Sequence, residues 1–249
     1  MHDVEADKQC ATQGDGVNAV WKEATPMRMQ STDMPHRAES LLLLREITHR
    51  ICNEYAAVIS SISRAAARAT HDDAKLALAD AASRLYEHAS VYRALQMPVG
   101  ETAEISGYLR NLCRALCRSR LLDAGIRLTL IEKPLVLTSE QCWHVGLIVF
   151  ELVTNAAKHA FSGKGGNLQI ECVADPDCVL CRVSDDGLLS SSPTPGRGSE
   201  IISALAEQLG GAIMPMARQH GTTVILVFPR TAPASAPCEP AEPLGRHVG

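Results

Sequence analysis

Glu151-Leu-Val-Thr-Asn155-Ala-Ala-Lys158-His159 sets a row of polar groups into a segment that is otherwise apolar. Glu151, Asn155, Lys158 and His159 fall at i, i+4, i+7 and i+8, so on a 3.6-residue period all four share one stripe. Leu147, Ile148, Val149, Phe150, Leu152 and Val153 around them are core residues. The pattern predicts a buried helix with one polar stripe, opened by the capping-box sequence Thr138-Ser-Glu-Gln141. Carboxylate and carboxamide oxygens suit a hard cation such as Mg²⁺, while a nearby Lys and His can meet phosphate oxygens. A helix face that meets only water would have less apolar flanks.

Around this helix, residues 99–230 read as a mixed block. A helix is expected over Thr102 to Leu122, carrying Leu109, Leu112, Leu116 and Leu121. Gly125 then precedes the alternating run Ile126-Arg-Leu-Thr-Leu-Ile131, a strand. Further strands are expected near Asn167–Val173, Val179–Ser184, Ala212–Ala217 and Thr222–Phe228, with a helix over Ser199–Leu209 ending at Gly210-Gly211. Strands interleaved with three helices, without steady βαβ alternation, predict an α+β sandwich with the helices on one face.

Residues 37–98 read as two helices. Leu44, Ile47, Ile51, Val58, Ile62, Ala65 and Ala69 mark a near-heptad seam on the first. Thr70-His-Asp-Asp73 breaks it and offers Asp72 or Asp73 as a cap, and Leu78, Ala82, Leu85, Ala89 and Tyr92 mark the second helix. A lone helical hairpin buries little, so two copies are expected to pair as a four-helix bundle in a homodimer. Residues 1–36 read as a disordered or docking tail, and 231–249 as a disordered Pro/Ala-rich tail.

The 249 residues are 46% hydrophobic and 21% charged with a net charge of -4, a globular composition with no basic bias toward nucleic acid. Met1-His-Asp-Val-Glu-Ala-Asp is no signal peptide, and the apolar run near Val145 to Val153 is too short for a bilayer, so a cytoplasmic location without membrane insertion is expected. Nine cysteines suggest a metal site or disulfides. Cys178 and Cys181, however, would face opposite ways in a strand, and Cys113 and Cys117 have no second pair, so buried packing is the better account.

Four further segments are candidates for chemistry. His49 lies two residues past Ile47, about 200° round the helix and toward solvent, where an unprotonated imidazole is a competent nucleophile. Asn53, one turn on, can orient the ring or a water, while Glu54 is a proton acceptor at a poorer angle. In the second block, Val183-Ser-Asp185-Asp186-Gly187 ends a strand on a carboxylate and a glycine: either a simple turn, or an acceptor for an exocyclic amine with room for a ring beside it. Gly196-Arg197-Gly198 precedes a helix whose N-terminus can hold phosphate, and Gly221-Thr222-Thr223 is as easily a turn.

The order of these segments resembles the ATP-binding domain of the GHKL superfamily, which includes histidine kinases and type II topoisomerase ATPase domains. Leu43-Leu-Arg-Glu-Ile-Thr-His49-Arg-Ile-Cys-Asn53 is similar to the phosphoacceptor box of the second, HWE-related class of sensor histidine kinases, where His-Arg replaces His-Glu or His-Asp. Glu151 through Phe161 matches that class closely, and the resemblance spans about 40–229. It implies a helical-hairpin dimerisation domain followed by an α/β-sandwich ATPase-like domain. His49 would be the phosphoacceptor, supported by Arg50 and Asn53. Asn155 would bind Mg²⁺, with Glu151 shaping its water shell or assisting proton transfer. Lys158 and His159 would contact phosphates, and Gly196 and Gly198 would frame the triphosphate. Asp185 would bind the adenine amine, with Gly187 beside the ring and Thr222 in the adenine-side water network.

The chain departs from that pattern in places. Leu188-Leu189 replaces the second glycine of Asp-x-Gly-x-Gly, and the lid before Gly196 is short, Ser190-Ser-Ser-Pro-Thr-Pro195. Cys52, Glu54 and Tyr55 replace the common Lys, Asn and Leu. The expected activity is ATP- and Mg²⁺-dependent autophosphorylation of His49, followed by transfer to an aspartate of a response-regulator receiver domain. The same bundle can also act as that partner's phosphatase, and an upstream sensor or regulatory protein is implied. The alternative is a histidine phosphotransferase or pseudokinase relay with a degenerate ATP pocket.

Overall fold

The computed structural model describes residues 34–161, 163, 165–187, 197–217 and 221–230. Helices α1 (Met34–Arg68) and α2 (Asp72–Ala94) form a hairpin. The α2 face follows its predicted period, with Ala82 and Ala89 buried and Leu78, Leu85 and Tyr92 half-buried. The α1 face does not. Ile51, Tyr55, Ile59, Ile62 and Ala66 turn inward, and Tyr55 stacks on Tyr92 with ring centroids 5.6 Å apart. Ile47, Val58 and Ala65 are exposed, so the predicted seam divides between two stripes, one for α2 and one left uncovered. His71, in extended conformation, is the α2 N-cap and makes no side-chain cap bond. Asp72 and Asp73 sit in the first turn instead, where their charge meets the positive end of the helix dipole.

The helix expected from Thr102 is shorter at both ends. Thr102–Glu104 forms a strand, β1, antiparallel to β3 (Val136–Thr138), with Ala103 opposite Leu137. Helix α3 runs Ile105–Leu116, then loosens into a π turn, Cys117–Leu121, which the Leu122 N–H closes onto the Cys117 carbonyl at 3.0 Å. Its apolar face, Ile105, Leu109, Leu112 and Leu116, is fully buried.

The remaining elements are β2 (Ile126–Ile131), α4 (Ser139–His159), β4 (Gly166–Ala174), β5 (Cys178–Asp185), α5 (Arg197–Gln208), β6 (Ala212–Ala217) and β7 (Thr222–Pro229). The capping box at α4 forms as its sequence demands. Thr138 Oγ1 accepts the Gln141 N–H at 3.1 Å, and Gln141 Oε1 accepts the Thr138 N–H at 3.2 Å. The five-stranded sheet has order β2-β4-β5-β7-β6, with β2 and β4 parallel and the other pairs antiparallel. Ile148, Val149 and Val153 of α4 and Ile202 and Leu205 of α5 pack with α3 on the sheet's inner residues, among them Leu168, Ile170, Cys181 and Phe228. Val91 and Leu95 join this core and anchor the hairpin to the sandwich. Cys181 faces the helices while Cys178 belongs to a second cluster with Leu180, Ile225 and Val227, as strand alternation requires. No described helix is long and apolar enough to cross a membrane.

Candidate functional site

Strand β5 delivers Asp185 to the mouth of the sandwich. Its Oδ1 accepts the backbone N–H of Gly187 at 3.0 Å and of Thr222 at 3.3 Å, and its Oδ2 takes no hydrogen bond from the described residues. Burial pushes this carboxyl above the usual carboxylate range against the pull of those two N–H groups, and neighbouring Asp186 pushes the same way. Asp186 behaves oppositely. It accepts the Asn167 side-chain and backbone N–H at 2.6 and 2.7 Å, and these bonds hold its carboxyl below the ordinary range. The sequence shows the acidic doublet, but not that Asn167 on the neighbouring strand engages its second member.

Two glycines fix the Asp185 corner by close approach. Gly221 has φ +83°, and a Cβ there would overlap the Asp185 carbonyl. A Cβ on Gly187 would lie 2.5 Å from the Ala160 carbonyl oxygen and 2.6 Å from the Ala160 Cβ. Gly187 therefore presses the end of β5 onto the end of α4. Thr222 is half-buried at the start of β7 and binds Asp185 through its backbone.

Along α4, Glu151 and Asn155 are half-buried, while Lys158 and His159 are exposed in the last turn. The first turn of α5 comes down on the first pair. A Cβ on Gly198 would stand 3.4 Å from Asn155 Nδ2 and 3.5 Å from Glu151 Oε2. The positive end of one helix thus abuts a carboxylate and a carboxamide on another, in a setting suited to an anion and a hard cation together. The Asp185 corner, the α5 N-terminus and the polar stripe all meet the C-terminal half of α4. Gly196, Leu188, Leu189 and the Ser/Pro run lie outside the described residues.

His49 is exposed on α1, one turn before Asn53, whose Nδ2 is 3.3 Å from His49 Nδ1. With the proton on Nε2, the carboxamide N–H donates to Nδ1. With the carboxamide turned over, Asn53 Oδ1 accepts from Nδ1–H and Nε2 keeps a bare lone pair. Arg50 is directed to Glu46, its Nε donating to Oε1 at 2.7 Å, and Glu54 is exposed. Asn53, rather than Arg50, is the side chain that touches the imidazole.

Residues 46–120 match the family model described as histidine kinase. Over 211 residues the chain is 28% identical to the sensor histidine kinase PdtaS of Mycobacterium tuberculosis, an alignment covering 80% of this chain and 42% of that protein. It is 26% identical over 216 residues to blue-light-activated histidine kinase 2 of Erythrobacter litoralis, covering 81% and 61%. The solved histidine kinase domain of the Erythrobacter litoralis blue-light activated histidine kinase superposes with TM-score 0.48 and 21% identity, over 72% of this chain and 96% of that one. The chain spans less than half the length of the first relative and about three fifths of the second.

Proposed function

We propose that this protein, whose residues 46–120 match the histidine kinase family model, is a Mg²⁺-ATP-dependent kinase that phosphorylates its own His49. The observation that carries this reading is the junction of Gly198 at the α5 N-terminus with Glu151 and Asn155. Asn155 Oδ1 and the Glu151 carboxylate, directly or through water, are hard oxygen donors fit for Mg²⁺, which would supply charge neutralisation at the triphosphate. Lys158 and His159 add positive or hydrogen-bonding groups one turn further on, where phosphate oxygens would lie. Asp185 Oδ2, left over after Oδ1 takes two N–H groups, accepts the adenine amine, while Gly187 and Thr222 hold that corner in shape.

Transfer breaks the bond between the γ-phosphorus and the β–γ bridging oxygen and forms a phosphorus–nitrogen bond at His49 Nε2. Asn53 Oδ1 holds the Nδ1–H, which keeps the nucleophilic lone pair at Nε2. Such a reaction depends on in-line positioning and charge neutralisation more than on covalent help. The phosphoryl group then passes to an aspartate of a response-regulator receiver domain docked on the hairpin, and Asn53 can place a water for the opposing phosphatase reaction, in which that water breaks the aspartyl O–P bond and inorganic phosphate leaves. The working unit is a homodimer joined through α1 and α2, with its signal delivered by an upstream partner.

The test is incubation of the full chain with Mg²⁺ and γ-labelled ATP, beside His49→Ala and Asn155→Ala. Acid-labile label in the wild type, lost in both variants, is the expected result. A wild type that binds no nucleotide, yet takes label at His49 from a phosphorylated receiver, would replace the kinase with a relay.

A further inference from the structure

Every described cysteine is a free thiol, and four of them belong to the main core: Cys113 on α3, Cys142 on α4, Cys172 on β4 and Cys181 on β5. Small-residue packing accounts for each of them singly, but not for how the last two are placed. Cys172 and Cys181 are register partners in the antiparallel β4–β5 pair. The Asp186 N–H donates to the Asn167 carbonyl at 3.2 Å and the Asp175 N–H to the Cys178 carbonyl at 2.8 Å, so the bonded pairs fall on the odd-numbered residues of β4. Cys172 with Cys181 is therefore a non-hydrogen-bonded pair, the kind whose Cα atoms stand ~4.5 Å apart with side chains closest together. A disulfide spans Cα separations of roughly 4.4–6.8 Å. Both side chains leave their strands toward the helices, at 4% and 2% exposure. The two sulfurs are thus set opposite one another within reach of a bond, with no backbone movement required.

We propose that Cys172 and Cys181 are an oxidisable pair, which hydrogen peroxide closes into a cross-strand disulfide between β4 and β5. One sulfur attacks a peroxide oxygen, breaking the O–O bond and forming a sulfenic acid as the first water leaves. The other sulfur then attacks the first. The S–S bond forms, the S–O bond breaks, and the hydroxyl departs as a second water with the remaining thiol proton. Two thiols give up two electrons, and one peroxide becomes two waters. The Cys172 side chain and burial push the Cys181 thiol well above its ordinary range, so little thiolate forms near neutrality. A small oxidant is therefore required rather than a bulky disulfide. Entry is one side chain away: Cys113, which also acts on Cys181, lines a slot of about 320 Å³ between α3, the π turn and β2. Cys181 shares a face of β5 with Asp185, four residues on, so the closed pair pins the strand that presents that carboxylate. The pair itself does not depend on the kinase reading.

Peptide mapping of the full chain tests it. Native wild type is treated with hydrogen peroxide, quenched with catalase, alkylated in denaturant and cut with trypsin and Asp-N. The cut before Asp175 separates Cys172 from Cys178 and Cys181. Cys178 is the internal control, because it is nearer to Cys181 in sequence than Cys172 is, yet it lies in the cluster on the opposite side of the sheet. Cys172 and Cys181 are expected to lose alkylation together and to appear as one linked product, while Cys178 keeps its label. Reducing the treated chain restores both sites. Cys178→Ala retains the link and Cys181→Ala abolishes it. The deciding map is that of the wild type, so the outcome does not hang on how a variant folds. The proposal is overturned if both sites stay alkylated, if Cys178 supplies the partner, or if the link forms only after denaturant has opened the chain. Oxidation that stops at separate sulfinic acids overturns it as well.

Discussion

The backbone N–H of Thr222 donates to Asp185 Oδ1 at 3.3 Å and ties the start of β7 to the end of β5. An asparagine at 185 can keep this bond and the one from Gly187 through its own Oδ1, but it then presents an NH₂ where the carboxylate offers an acceptor. Asp185→Asn is expected to weaken ATP binding about tenfold or more, the scale of a lost hydrogen bond to a charged group. Stability should move the other way. Burial raises the Asp185 carboxyl, so its favourable contribution is present at acid pH and fades as pH climbs through the raised value. The non-titrating variant should therefore gain in melting temperature relative to wild type between acid and neutral pH. Thermal melts across that range, with nucleotide titration at neutral pH, check both halves.

Local patterns in the sequence placed the helix at the centre of the candidate site more readily than the frame around it. The polar stripe of α4 and its Thr138–Gln141 cap are local patterns, and they stand where the period put them. The opposite facing of Cys178 and Cys181 follows from strand parity alone. β1 and β3 escaped because three residues cannot show a period of two, and their pairing joins positions more than thirty apart. The α1 seam merged two stripes because Ile47 and Ile51 both suit a heptad, while only α2 decides which of them is covered. Ala160 carries no chemical signature, so its role as the surface under Gly187 is visible only in three dimensions.

Asp186→Ala should lower stability by about 1 kcal/mol, since its two bonds from Asn167 join β4 to the chain after β5 but lie in the open. The pH dependence has a definite sign. Those bonds depress the Asp186 carboxyl, so its stabilisation is full above the ordinary aspartate range and is lost as pH falls through the depressed value. The gap between wild-type and variant melting temperatures should be constant near neutrality and close below about pH 4. A gap that widens in acid would contradict the assignment.

Gly187→Ala forces a methyl group against the Ala160 carbonyl, at the end of the helix that carries Asn155. Relief requires β5 and α4 to separate, at a cost of about 1–3 kcal/mol. Unfolding in denaturant should show this loss in the absence of any nucleotide. Were the glycine needed only to admit an adenine ring, the variant would bind ATP weakly while retaining wild-type stability.

Ile47 and Val58 are 42% and 49% exposed in the single chain. With Ala65 they are spaced eleven and seven residues apart, which keeps all three within about 20° on the helix surface. Leu76 of α2 is 69% exposed as well. A stripe of this kind on a two-helix hairpin is what a second hairpin covers in a four-helix bundle. Val58→Asp would place an unpaired carboxylate in that interface, yet would cost a monomer no more than about 0.5 kcal/mol at so exposed a site. Sedimentation should show a dimeric wild type and a monomeric variant whose sandwich melts at an unchanged temperature. Phosphorylation of His49 in that monomer would then require the nucleotide site of the same chain, whereas its loss, together with label gained by an Asn155→Ala chain on mixing with a His49→Ala chain, would assign the transfer to the opposite subunit.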